Sequence, residues 1–114
     1  MKILKCVDPI FHTTLIVARD CEYTEAVDLF CKKYPGVDKE SALGIVVCDD
    51  TGGVSFVDGT CALIWLKNKD LNTTLHESFH CTIGLLNNKG LRLSDESEEA
   101  YAYFIEWIFN CCVR

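Results

Sequence analysis

His76, Glu77 and His80 stand in the run His76-Glu77-Ser78-Phe79-His80, an H-E-x-x-H motif inside a stretch that reads as a helix. Positions i and i+4 of a helix share one face, so the two imidazoles can grip one metal ion together. Glu77 projects about 100° round the axis from His76, where it can reach a metal-bound water as general base. The chemistry open to such a set is metal-assisted hydrolysis, with Zn²⁺ as the usual ion. The bland alternative is a pair of ordinary surface or core histidines. It must place two of the chain's three histidines at metal spacing around a glutamate by accident.

Two histidines do not complete a catalytic zinc site, which takes three protein ligands and keeps one position open. His12 follows a strand turn, where a lone histidine is usually solvated or hydrogen-bonded. The acidic run Asp95, Glu96, Glu98 and Glu99 is a better source, although complementing a helix N-terminus explains part of it. On the helical wheel Cys81 points away from the histidine pair and reads as packing.

The elements that must position these groups follow from periodicity and turn signals. Met1 to Val7 and Thr13 to Ala18 are strand-like runs joined by Asp8-Pro9. Cys21 to Tyr34 reads as a helix capped by Asp20 and closed by Pro35-Gly36. Leu43 to Cys48, Val54 to Val57 and Thr60 to Leu66 read as three strands, the last two joined at Asp58-Gly59. Leu71 to Leu86 is the motif helix, stopped at Gly90, and Ser94 can cap a last helix running to about Cys112. Short hairpins require antiparallel neighbours, so the class is α+β with a mixed, mostly antiparallel sheet packed on the motif helix. On that helix Leu75, Phe79, Ile83 and Leu86 form an apolar stripe expected to face the core, with His76 and His80 along its edge. Gly84 lies one turn beyond His80 and can admit close approach by another element.

Composition narrows the partners. A chain of 114 residues makes one domain with a real core, and 49% hydrophobic with 25% charged residues is a soluble globular balance. A net charge of -6 argues against nucleic acid as the main partner. No run is apolar enough to span a bilayer, and the N-terminus lacks a signal-peptide core, so no membrane partner and a cytoplasmic location are expected. The eight cysteines then stay reduced and act mainly as small buried hydrophobes; no C-x-x-C pair marks a thiolate zinc site.

The motif, 18 residues, and then Glu99-Ala100-Tyr101-Ala102-Tyr103 resemble the gluzincin metallopeptidases, including the one-domain minigluzincins and small phage-encoded H-E-x-x-H proteins. The resemblance covers roughly residues 43 to 112. It implies a zincin-like single domain in which His76, His80 and Glu99 hold Zn²⁺, the last from a C-terminal helix, and Glu77 is the base. It also implies that Val54 to Val57 is the edge strand that pairs with an extended peptide. For a phage-encoded protein the compartment would be the host cytoplasm. The family's aspartate position, which orients a ligand histidine, holds Tyr103, and Glu98 replaces the asparagine before the glutamate ligand. Periodicity of the last helix favours Glu98 as third ligand, because it falls on the apolar side near Ile105 and Phe109; the family pattern favours Glu99. Tyr101, Tyr103 and Tyr23 are candidate oxyanion donors.

Two functions from different classes fit these residues: a zinc-dependent hydrolase of peptide bonds, and a catalytically weak or inactive zincin-fold protein that sequesters a polypeptide. Both require metal. Purified protein is expected to carry about one equivalent of zinc by elemental mass spectrometry. Protein that takes up none on titration would reduce the motif to two ordinary histidines.

Overall fold

The computed structural model describes all residues 1–114. Its elements are β1 (Lys2–Val7), β2 (Thr14–Arg19), α1 (Tyr23–Lys33), α2 (Lys39–Leu43), β3 (Gly53–Asp58), β4 (Cys61–Leu66), α3 (Leu71–Asn88) and α4 (Glu98–Val113). The sheet has four strands in the order β1-β2-β4-β3. β1 pairs antiparallel with β2, β2 parallel with β4, and β3 antiparallel with β4. The parallel pair needs a crossover, and α1, α2 and β3 lie within that connection. The chain is thus a mixed α+β domain in which β3 is an edge strand.

Period-two alternation in the central strands builds two cores. Leu15 and Val17 of β2 join Ala62, Ile64 and Leu66 of β4 under α3 and α4. Ile16 and Ala18 join Leu63 and Trp65 under α1 and α2. Helices therefore cover both faces of the sheet, not only the face toward the motif helix. That is why β2 and β4 read as nearly continuous apolar runs.

The segment Leu43 to Cys48 is not a strand. Asp38 caps α2, its carboxylate accepting from Ser41 N at 3.2 Å and Ser41 Oγ at 2.6 Å. Ile45 and Val47 then pack on the α1 side of the core while Val46 is 85% exposed. The alternation is real, but it is used for packing without a ladder. Two helix starts also move. α1 is closed by a capping box between Glu22 and Glu25, while Asp20 takes a left-handed turn conformation at φ 56. α4 begins at Glu98 because Ser94 and Ser97 bond to each other, Ser94 N donating to Ser97 Oγ at 2.9 Å, and hold a separate turn.

Only the C-terminal half of the expected stripe on α3 faces the core, where Leu86 is buried and Ile83 packs against it. Leu75 and Phe79 are 52% and 45% exposed, whereas Thr74, Ser78, Cys81, Thr82 and Leu85 are buried. Three hydroxyls explain the choice. Thr74, Ser78 and Thr82 each donate to the carbonyl four residues back, at 2.9, 2.7 and 2.8 Å. Satisfied in this way, they bury as small groups and let α3 approach its neighbours closely. Gly84 completes that face: a Cβ there would stand 2.9 Å from Val57 Cγ2 of β3. Gly84→Ala is expected to destabilise the fold by about 1–3 kcal/mol in urea unfolding, while Gly36→Ala, with open space around it, costs little. Equal stability of both variants would show that α3 does not depend on this contact.

Candidate metal and catalytic site

α3 starts firmly. The Asp70 carboxylate accepts from Asn72 N and Thr73 N, each at 3.3 Å, and from Thr73 Oγ1 at 2.8 Å. The Thr73 hydroxyl bond, together with these N–H donors, holds the Asp70 carboxyl below its ordinary range. From this anchor His76 and His80 emerge one turn apart on the exposed side. Their Nε2 atoms face each other at 3.1 Å, with ring planes 77° apart. Two nitrogens bound to one tetrahedral zinc at 2.0–2.1 Å would be roughly 3.3 Å apart. The pair therefore fits two positions of such a site.

Glu77 turns the other way, into the seam between α3 and β3. It is 8% exposed, and its Cγ stands 3.2 Å from where a Cβ on Gly53 would lie. Glycine at 53 thus leaves room for this side chain. No protein group hydrogen-bonds or ion-pairs with the Glu77 carboxylate; its oxygens reach solvent through the cleft. The cleft holds about 490 Å³. His76, Glu77 and His80 form one side, and Val54, Ser55 and Val57 of the edge strand form the other, with Ile45 and Val46 at its mouth.

The acidic start of α4 is not gathered into this site. α4 runs antiparallel to α3: Tyr101 donates to Leu91 O at 2.7 Å and Asn87 Oδ1 at 3.2 Å, while Thr74 shares a depression with Cys112 and Val113 at the other end. Ile105 is the α4 residue level with Phe79 and His80. Glu99 and Glu98 lie six and seven residues earlier, roughly 9–10 Å further along the axis. Both are exposed, as are Asp95 and Glu96. No three side chains among His, Cys, Asp and Glu converge as a metal cluster. The structure thus brings His76, His80 and Glu77 together and leaves Glu99, Glu98 and His12 outside.

The tyrosines are also committed elsewhere. Tyr103 donates to Asp8 Oδ1 at 3.4 Å and does not orient a ligand histidine. Desolvation and then the Asp8 charge push its phenol upward. Tyr23 donates to Ala42 O at 2.7 Å, on the opposite side of the sheet. Cys81 is fully buried, as its place on the wheel indicates; desolvation pushes its thiol strongly upward.

Other residues border the pair that pattern reasoning did not select. Asn72 and Thr51 lie beside His76 and Glu77 in a polar depression. On the far side of the histidines, Asn72, Leu75, Phe79 and Ile105 line a second depression of about 620 Å³. The available signal was the Thr74-Ser78-Thr82 spacing, which marks the face α3 buries and so turns Leu75 and Phe79 outward.

No family model matches the chain, and no curated protein or solved structure matches it. His76→Ala and His80→Ala are each expected to weaken zinc binding at least about 100-fold in a competitive chelator titration, with unchanged circular dichroism. Unaltered affinity in either variant would remove the pair as ligands.

Proposed function

We propose that the chain is a zinc-dependent hydrolase of peptide bonds, built as a small zincin-like domain. One observation carries this reading: two imidazole nitrogens 3.1 Å apart stand beside a mostly buried, unpartnered carboxylate, in a cleft whose opposite wall is an open strand edge. His76 and His80 would hold the ion, and the family pattern puts the third ligand at Glu99. When bound, zinc supplies Lewis acidity, bringing the pKa of its water to about 7 and polarising a carbonyl.

The chain's own residues then do the following. Glu77 accepts a proton from the attacking water and delivers it to the leaving amine. The free edge of β3 pairs with an extended peptide and holds its backbone across the cleft. Asn72, whose side-chain amide makes no hydrogen bond within the protein, borders His76 and is the candidate donor to the developing oxyanion. These roles need no second lobe, and the shallow cleft suits one extended segment of substrate.

A second reading is favoured by a specific observation, the separation of Glu99 from the histidine pair. On that reading the chain is a zincin-fold binding protein that captures a polypeptide along β3 and cleaves it weakly or not at all.

Glu77→Gln separates the two. In the hydrolase it should retain zinc and lose roughly 10²–10⁴-fold in kcat against a quenched peptide library. Glu99→Gln tests the third ligand that the family pattern implies: it weakens zinc binding only if metal draws the start of α4 toward the pair, and unchanged affinity leaves His76 and His80 as the two ligands. If wild-type protein binds a polypeptide stoichiometrically, leaves it intact and is indifferent to Glu77→Gln, the binding reading replaces the enzyme.

A further inference from the structure

The exposed side of α3 carries two parallel rows set one residue apart. Leu71, Leu75 and Phe79 form an apolar row, at 61%, 52% and 45% exposure, and Asn72, His76 and His80 form a polar one. Each row is an i, i+4 ridge, the unit by which helices pack on one another. The apolar row is large side-chain surface left in water. Ile105 of α4 extends it across the depression of about 620 Å³ that also touches both histidines. The histidine row is an incomplete site. It offers two nitrogens 3.1 Å apart, close to the spacing of two corners of a zinc tetrahedron. No third His, Cys, Asp or Glu of the chain converges on them. Missing ligands and uncovered apolar surface thus share one face, and one partner supplies both.

We propose that this face is the contact between two copies of the chain, and that one Zn²⁺ on the two-fold axis bridges them through His76 and His80 of each copy. A two-fold contact presents the same patch from both sides, so a pair placed on the axis meets its own image. The four imidazole nitrogens then fill the tetrahedron that one chain fills halfway. An axis crossing α3 between His76 and His80 runs the two copies of that helix antiparallel and lays the Leu75–Phe79 ridge of one against that of the other. Charge agrees with this direction. Exposed Asp95, Glu96, Glu98 and Glu99 outnumber Lys89 and Arg92 toward the C-terminal end of α3, whereas Lys67 and Lys69 outnumber Asp70 at its start. Antiparallel packing sets the acidic end of each copy over the basic end of the other; parallel packing would set like on like. With all four positions taken by protein nitrogens the ion keeps no water, so the dimer is the closed form of the site. Neither Glu77 nor Glu99 takes part, and the proposal does not rest on the hydrolase reading.

Sedimentation velocity of the full chain, with zinc counted by elemental mass spectrometry, tests this. Metal-free protein should be monomeric. Half an equivalent of Zn²⁺ per chain should double the mass with one ion per two chains, and EDTA should reverse the change. His76→Ala and His80→Ala should each weaken zinc-dependent association at least about 100-fold. Phe79→Asp, which keeps both ligands, should weaken it at least about tenfold. Glu77→Gln and Glu99→Gln should dimerise like wild type, so loss of the hydrolase reading leaves the dimer standing. Protein that stays monomeric at half an equivalent of zinc, a dimer that survives EDTA, or unaltered association in either histidine variant would overturn the assignment.

Discussion

The seating of α3 on β3 is the constraint from which the rest of the site follows. Two glycines allow it, and three back-bonded hydroxyls on the buried side of the helix assist. Gly84 admits Val57 where any side chain would collide, Gly53 leaves space for Glu77, and Thr74, Ser78 and Thr82 bury without orphaned donors. Because the helix turns its small-residue face inward, its rotation about its own axis is fixed. That rotation sends Glu77 into the seam, lifts His76 and His80 onto the rim, and leaves Leu75 and Phe79 outside them.

The same rotation sets the electrostatics. Glu77 is mostly covered by the strand it packs against, makes no hydrogen bond to the protein and meets solvent only through the cleft. The sole ion pair in the structure, Lys39 with Asp28 at 2.8 Å, is exposed and worth little to stability. Cohesion of the scaffold comes mainly from the two apolar cores on either face of the sheet. Arg19 shows the complementary case. It is 8% exposed and donates to the Cys112 carbonyl, so a buried cation satisfies the C-terminal end of α4 and fixes where that helix lies.

The antiparallel course of α4 explains why the acidic residues do not join the histidines. Tyr101 locks the first turn of α4 to the chain just after α3, and Arg19 holds the last turn beside the beginning of α3. Glu98 and Glu99 are thereby placed near the C-terminal end of α3, while the histidines sit around its middle. Ile105, not a carboxylate, is what α4 presents at their level. Spacing in the sequence counts residues between motifs; it does not contain the direction in which the intervening turn sends the second helix.

By itself the sequence determined the local and periodic features: the α+β class, the helix bearing His76, Glu77 and His80, the hairpin before it, and the burial of Cys81. These are readable because hydrogen bonding and side-chain periodicity act within a few residues. It also contained, unused, the Thr74-Ser78-Thr82 spacing that decides which face of α3 goes inward. Tertiary structure alone decided the fate of Ile45 to Cys48, which alternates like a strand yet finds no partner edge, and the coverage of both sheet faces. It also decided the separation of Glu99 from the pair. Each of these depends on contacts between segments far apart in the chain, where packing of whole surfaces outweighs the preference of any short run.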